Sequence, residues 1–136
     1  MNYLLDANVC IAVMNQSSDR VRWNLKSAKL SGAQLYISSV VVHELWFGVA
    51  NSRRVQGNAS VLRKFLARGL KTLDFSNEDA KIAGEIRASL KAAGTPIGAY
   101  DTLIAGQTLA RGLTLVTANT GEFARVGGLK IVDWTL

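Results

Sequence analysis

Residues that cross-link the chain, break helices or bind transition metals are scarce in this sequence. Its 136 residues include one cysteine, one proline and one histidine. A single cysteine excludes an internal disulfide framework, and one cysteine with one histidine cannot form a structural zinc site. A Ser-His-Asp catalytic triad would have to be built around the only histidine, His43. No proline-rich linker divides the chain, so we expect residues 1–136 to form a single domain.

Long apolar segments are also missing. No run approaches the roughly 20 apolar residues that are needed to cross a bilayer. The first residues lack the basic and then apolar layout of a signal peptide, so we expect a cytoplasmic protein without a membrane partner. Sixteen lysines and arginines stand against ten acidic residues, which gives a net charge of +6. This positive balance predicts a polyanionic partner but does not identify it.

Short apolar runs alternate with longer segments of helical periodicity along the chain. The predicted strands are Met1–Leu5, Gln34–Ile37, Leu73–Phe75, Leu113–Thr117 and Leu129–Asp133. Helices are predicted between them, and the basic stretch Asn51–Asn58 is interpreted as a connection between two helices. Continuous apolar strands separated by helices are typical of a parallel sheet covered on both faces. The sequence therefore predicts a three-layer α/β/α domain around a mainly parallel sheet of four to five strands.

Four oxygen-bearing side chains follow the predicted strands or begin the helices next to them: Asp6, Glu44, Asp101 and Asn119. In an open parallel sheet, ligands bind outside the carboxyl ends of the strands, so the topology places these residues at one edge. Clustered carboxylates repel one another unless a cation neutralises them. Oxygen ligands of this kind suit Mg²⁺ or Mn²⁺, and such a site can polarise a phosphodiester and lower the pKa of a bound water.

Each of these acids also has a simpler interpretation. Asp6 could cap the helix that begins near Ala7, and Asp101 could cap the helix from Thr102 onward. Glu44 is harder to explain in this way, because apolar residues surround it and a buried acid needs a partner. The neighbouring His43 is expected to be a structural or peripheral residue rather than a metal ligand.

Four segments of the chain carry a family resemblance. They are YLLDANV, ISSVVVHELWFGV, IGAYDTLIAGQTLARGLTLVTANTGEF and GLKIVDW. In this order and spacing they resemble the PIN-domain ribonucleases, and most closely the VapC toxins of bacterial toxin–antitoxin pairs. The similarity runs from Met1 to Trp134 and implies a PIN-like fold for the whole chain.

The resemblance assigns roles to particular residues. Asp6, Glu44 and Asp101 match the three acids that coordinate the catalytic metal in the family. Thr117 matches the Ser or Thr that ends the fourth strand and borders the site. The fourth acidic position of many PIN domains is Asn119 here, and an amide supplies no charge. Whether the nearby Glu122 compensates, and whether one metal or two binds, stays open.

What the resemblance implies is an endoribonuclease that depends on Mg²⁺ or Mn²⁺, cleaves RNA, with structured RNA such as tRNA as the expected target, and arrests translation. It also implies a homodimer and a cognate antitoxin of the VapB type, which would form a hetero-oligomer with the toxin. Among the basic residues, Arg53 and Arg54 are the best candidates for RNA contacts, because they directly follow the helix of Glu44. Their alternative is an ordinary solvated surface.

Two other classes of protein are worth weighing. A receiver-like signalling domain also gathers acids at strand ends, but it would need a phosphorylatable Asp ending the third strand and a Lys ending the fifth. Asp74 lies inside the predicted third strand, and Asp133 stands where the Lys would be. The second alternative is a catalytically weak RNA-binding or antitoxin-binding module that acts as a regulator, and Asn119 is the only feature that favours it.

Overall fold

A five-stranded sheet forms the centre of the computed structural model, which describes all 136 residues. The strands are β1 (Tyr3–Leu5), β2 (Leu35–Ser38), β3 (Lys71–Leu73), β4 (Thr114–Val116) and β5 (Lys130–Val132). They lie in the order β3-β2-β1-β4-β5, and every neighbouring pair is parallel. Strand β1 is therefore central, and its last residue, Leu5, lies between Ile37 and Val116.

Seven helices complete the fold and cover both faces of the sheet. They are α1 (Ala7–Asn15), α2 (Asp19–Leu30), α3 (Ser39–Ala50), α4 (Val55–Leu66), α5 (Asn77–Ala92), α6 (Ala99–Ala110) and α7 (Thr120–Phe123). None of them combines the length and the apolar character that a membrane span requires.

The strands are apolar on both faces because helices cover both sides of the sheet. Leu4, Leu5, Ile37, Leu115 and Val116 are all completely buried. Continuous apolar runs of this kind are typical of parallel sheets, whose helical crossovers leave neither face in water. The prediction of a three-layer α/β/α fold is confirmed, and the sheet has five strands that are all parallel.

Two boundaries predicted from the sequence are wrong. The sequence predicts the third strand at Leu73–Phe75, but the strand runs over Lys71–Leu73, where Lys71 and Thr72 are exposed. This strand lies at the edge of the sheet, so a polar and exposed residue pattern suits it and the apolar signal fails. Asp74 consequently lies after the strand instead of within it.

The second wrong boundary is in the stretch Asn51–Asn58, because α4 begins at Val55. Gly57 and Asn58 are poor helix formers, which explains why the local signal predicts a connection. Burial of Leu62 and Phe65 against the core stabilises the helix, and tertiary packing thus overrides local propensity. The short helix α7 was not predicted at all.

A buried polar network joins the start of α5 to the end of α6. Ser76 and Asp79 form a reciprocal capping box at the start of α5. The fully buried Asp79 carboxylate also accepts hydrogen bonds from Arg111 (3.1 Å) and Gln107 (3.0 Å), and both side chains donate to the Asp74 carbonyl. Burial alone would raise the pKa of Asp79, but these hydrogen bonds outweigh it and hold the pKa below its usual value.

The two helices also approach each other closely at Gly106. A Cβ atom added there would lie 2.6 Å from the Ala83 Cβ and 2.7 Å from the Ala83 Cα and backbone nitrogen. These are atoms of a packed helix that cannot rotate away. Only glycine at this position of α6 permits the observed spacing from α5.

We predict that Gly106→Ala destabilises the protein by about 1–3 kcal/mol, because the added methyl group forces the two helices apart. The matched control is Gly84→Ala on α5, where an added Cβ meets nothing within 4 Å. That substitution removes only the helix-weakening effect of glycine and is expected to raise stability by about 0.5–1 kcal/mol. Urea unfolding measures both, and equal changes in the two variants would contradict the close-contact explanation.

Candidate active site

Asp6 occupies the first position after the central strand, where it has two structural roles. Its backbone N–H donates to the Val116 carbonyl at 3.1 Å, which continues the sheet by one residue. Its Oδ1 accepts a hydrogen bond from the Val9 N–H at 2.9 Å and thereby caps α1. The capping interpretation of Asp6 is therefore correct. Capping is not the only role open to this carboxylate, because Asp6 also lines the cavity described below.

Glu44 lies in the second turn of α3. The helix begins directly after β2, and the Ser38 hydroxyl accepts a hydrogen bond from the Val40 N–H at 3.1 Å. Val41 and Leu45 from the same helix are buried in the core. The Oε1 atom of Glu44 is buried and has no hydrogen-bond partner. A buried acceptor without a partner costs free energy, and a cation or a donor from another molecule would satisfy it.

Asp101 lies in the first turn of α6. The residue that precedes the helix is Gly98, and Asp101 makes no capping hydrogen bond with the helix backbone. The alternative interpretation, in which Asp101 caps the helix from Thr102 onward, is therefore wrong. The carboxyl group instead lies close to the Glu122 carboxyl.

One small cavity brings the predicted acids together. Asp6, Glu44, Asp101 and Asn119 line a space of about 100 Å³, well above the roughly 10–15 Å³ that one water molecule needs. The other lining residues are Ala7, Asn8, Ile104 and Phe123. No lysine, arginine or histidine lines this cavity. Its wall is thus acidic, although the chain as a whole is basic.

Thr117 and Asn119 support the cavity from the β4 side. Thr117 is completely buried directly after β4, and its hydroxyl accepts the Asn119 N–H at 3.0 Å. The same hydroxyl lies near Asp6 and lowers the pKa of its carboxyl group, against the larger effect of burial. The Asn119 side chain donates from Nδ2 to the Glu122 Oε2 at 2.9 Å, so these two residues are held side by side.

The environment of the cavity raises the pKa of all three acids. For Asp6 the main cause is burial, opposed by its hydrogen bonds and reinforced by the charge of Asp133. Burial also raises the pKa of Glu44, and the charge of Asp6 adds to this effect. The pKa of Asp101 rises to about 6, first through burial and then through its contact with Glu122.

The donor set suits a hard divalent cation. The carboxyl groups supply only oxygen, their charged forms are disfavoured, and one Glu44 oxygen lacks a partner. No three His, Cys, Asp or Glu side chains are drawn together tightly enough to form a metal-binding group by themselves.

Arg53 and Arg54 lie outside the cavity. Both are exposed in the connection between α3 and α4, and Arg54 directly precedes α4. Neither forms a salt bridge, since the three ion pairs of the protein involve other residues. Both guanidinium groups are free for an anionic partner, and their role in RNA binding stays a prediction.

Two further acids belong to the surroundings of the cavity. Glu122 contacts Asp101 and Asn119, although the sequence left its contribution open. Asp133 follows β5 and acts on Asp6 through its charge. Asp133 directly follows β5 just as Asp6 directly follows β1, so the rule that ligands bind at the carboxyl ends of parallel strands applies to it as well.

The fold and the cavity define a class of protein, namely a parallel α/β/α domain with an acidic site at the carboxyl edge of its sheet. A family model described as the PIN domain matches residues 3–129. Over 99% of both chains, the sequence is 39% identical to the tRNA(fMet)-specific endonuclease VapC of Shigella flexneri. The chain therefore belongs to the PIN-domain family, within its VapC group.

Solved structures agree with this assignment. The VapBC2 structure from Rickettsia felis, bound to a promoter DNA fragment, matches with a TM-score of 0.92 and 36% identity, covering 98% of this chain and 99% of that chain. The DNA-bound VapBC structure from Salmonella typhimurium matches with a TM-score of 0.90 and 36% identity over 98% of both chains. The resemblance found in the sequence is confirmed, and the receiver-like alternative is wrong.

The raised pKa of Asp101 predicts a pH-dependent effect of Asp101→Asn on stability. A carboxyl whose pKa is raised in the folded state favours folding below its unfolded pKa of about 4, and this contribution is lost as the pH rises through about 6. The variant, which cannot ionise, is expected to be more stable than the parent by about 1–3 kcal/mol at pH 7.5 and equal to it near pH 4.

Thermal melting in a metal-free buffer with a chelator measures this difference across the pH range. The control is Asp74→Asn, because the Asp74 side chain is exposed and makes no hydrogen bond. A difference between parent and Asp101→Asn that does not change with pH would contradict the prediction.

Proposed function

We propose that this protein is an endoribonuclease toxin of a toxin–antitoxin pair, which cleaves structured RNA such as tRNA and thereby arrests translation. The observation that carries the proposal is the acidic cavity at the carboxyl edge of the sheet, in which a buried Glu44 oxygen lacks a partner. The family relatives support it, because the Shigella flexneri protein is named a tRNA(fMet)-specific endonuclease.

In this proposal Asp6, Glu44 and Asp101 are the catalytic residues and hold Mg²⁺, for which Mn²⁺ can substitute. The cation supplies a Lewis acid that polarises a phosphodiester and lowers the pKa of water. The Val9 N–H fixes the orientation of the Asp6 carboxylate, and the nearby Thr117 hydroxyl favours its charged form.

Asn119 lines the cavity, and Glu122 contacts Asn119 and lies close to Asp101. Their hydrogen bond of 2.9 Å holds the Asn119 amide beside the cavity, where its oxygen is available as a neutral ligand. Asn119 and Thr117 are thus accessory residues in this scheme, and the Glu122 carboxylate adds negative charge next to Asp101.

The charge distribution fits an RNA substrate. Assigning Asp6, Glu44 and Asp101 to the cation leaves seven acidic residues against sixteen lysines and arginines on the rest of the protein. Contacts with phosphates supply most of the affinity that does not depend on nucleic-acid sequence. We assign such contacts to Arg53 and Arg54, which are exposed and unpaired at the end of the helix that carries Glu44.

A groove next to the cavity supports an antitoxin of the VapB type as the partner. It has a volume of about 250 Å³ between α1, α3 and α4, and most of its lining is apolar, including Ile11, Met14, Val49 and Val61. Glu44 lines both this groove and the acidic cavity. An antitoxin segment that fills the groove would therefore reach the catalytic site. The two solved structures from Rickettsia felis and Salmonella typhimurium are VapBC complexes.

We further propose that the chain acts in the cytoplasm as a single PIN domain over residues 1–136, as a homodimer and as a toxin–antitoxin hetero-oligomer. RNA and the translation machinery are found in that compartment, and the absence of a membrane-spanning helix is compatible with it. The alternative function, a catalytically weak RNA-binding or antitoxin-binding regulator, shares the fold and the groove and differs in lacking cleavage.

The purified protein is expected to cleave a tRNA transcript in the presence of Mg²⁺ or Mn²⁺, and Glu44→Gln is expected to lower the rate at least about a thousandfold. Gel analysis of the end-labelled transcript measures the cleavage. The control is Glu78→Gln, which neutralises an exposed glutamate in the first turn of α5. Binding of the transcript without cleavage by the parent protein would favour the regulator instead.

Metal binding can be tested without RNA. A ligand that binds only the native state raises the melting temperature, so millimolar Mn²⁺ is expected to stabilise the parent protein and the Glu78→Gln variant but not Glu44→Gln. Equal stabilisation of all three proteins would contradict the assignment of the cation to this cavity.

Val61→Asp is expected to weaken antitoxin binding at least about tenfold, because a charge in an apolar groove is desolvated without a partner. Val55→Asp is the matched control. Both valines lie on α4 with similar exposure, 45% for Val61 and 44% for Val55, but only Val61 lines the groove. Titration calorimetry with the cognate antitoxin measures the affinity. Equal losses in both variants would place the antitoxin elsewhere, and cleavage of free tRNA should be unchanged.

A further inference from the structure

An exposed pair of aromatic rings lies beside the acidic cavity. His43 on α3 and Tyr100 on α6 have ring centroids 5.6 Å apart, with an angle of 51° between their planes. Both side chains are exposed, and Tyr100 retains 48% of its accessible surface. This exposure leaves both side chains accessible to a further partner.

The pair is tied to the cavity through the chain itself. His43 directly precedes Glu44, and Tyr100 directly precedes Asp101, so each ring is one residue away from an acid that lines the cavity. Neither ring lines the cavity or the groove between α1, α3 and α4. Their positions therefore suit contacts with a substrate next to the reacting phosphate rather than participation in the chemistry.

We propose that His43 and Tyr100 form a stacking surface for a nucleobase of the RNA strand, close to the phosphodiester in the acidic cavity. The proposal rests on the proposed ribonuclease function. Every base has a π face, and stacking on an aromatic side chain contributes enough to fix the position of a strand. Sequence-independent phosphate contacts allow a strand to slide, whereas a base stacked beside the cavity would hold the neighbouring phosphodiester next to the acids.

A second copy of this chain is the other partner that exposed rings could contact. The imidazole and the phenol carry polar groups that suit base edges and riboses, and both residues adjoin acids. An interface between two copies through this side of α3 would also cover Phe47, which lies one turn beyond His43 and is 64% exposed. Phe47 makes no ring contact with His43 or Tyr100. A substitution of Phe47 should therefore affect contact between two copies but not base stacking on the pair.

The experiment uses the full-length protein and short RNA oligonucleotides that span the bond cleaved by the parent. One series carries a single abasic nucleotide at each position next to that bond. We expect Tyr100→Leu to raise KM for the intact RNA about tenfold while kcat stays within about twofold, and Tyr100→Phe to behave as the parent. At one abasic position we expect kcat/KM of the parent to fall about tenfold relative to the intact RNA. At the same position kcat/KM of Tyr100→Leu should equal its value for the intact RNA, because the stacking contact is already lost.

Phe47→Ala is the control and should match the parent in KM, in the abasic series and in molecular mass by light scattering. An equal abasic penalty in the parent and in Tyr100→Leu would overturn the stacking proposal. A loss of molecular mass shared by Tyr100→Leu and Phe47→Ala would also overturn it, in favour of contact between copies. In both cases the parent still cleaves the intact RNA, so the proposed function stands. If the parent cleaves no RNA, the proposed function fails and the stacking proposal fails with it.

Discussion

Burial of Asp6, Glu44 and Asp101, reinforced by repulsion from neighbouring acids, is the constraint that the rest of this structure has to satisfy. A parallel sheet brings the carboxyl ends of its strands to one edge, and here that edge collects acids from β1, α3 and α6. The pKa of all three carboxyl groups is raised, which shows that the fold holds them where their charge is unfavourable. Free energy from other parts of the molecule must offset this cost. Sites that sacrifice stability in this way are commonly functional.

The compensation comes from the helices that carry the acids. Helix α6 presents Asp101 at its first turn and is fixed at its far end by the buried network of Asp79, Gln107 and Arg111. At its middle, Gly106 lets it lie directly against Ala83 of α5. Asp6 is fixed differently, because it continues the central strand and caps α1. The acids thus stand on rigid elements although none of them is favourable where it lies.

The sequence allowed much of this arrangement to be predicted, for identifiable reasons. The apolar strands fixed the layers, and the rule for strand ends located Asp6 and Asn119. Glu44 could be predicted as a site residue because an acid among apolar helix residues needs a partner. Strand β3 was misplaced because an edge strand needs no apolar pattern. The contact between Glu122 and Asp101, and the pairing of His43 with Tyr100, join residues far apart in the chain. Such pairings depend on how helices pack and leave no local signal in one sequence.

The shared position of Glu44, which lines both the acidic cavity and the apolar groove, has a genetic consequence for the proposed toxin. Under the proposed function, an inactivating substitution at Glu44 would alter both surfaces at once, and the protein would neither cleave RNA nor compete fully for the antitoxin. Inactivating substitutions at Asp101 leave the groove intact. The resulting inert protein would sequester antitoxin and release active copies of the toxin in the same cell. Inactive Glu44 and Asp101 alleles would both be harmless when expressed alone. Beside the wild type, the Glu44 allele would be recessive, whereas the Asp101 allele would be harmful.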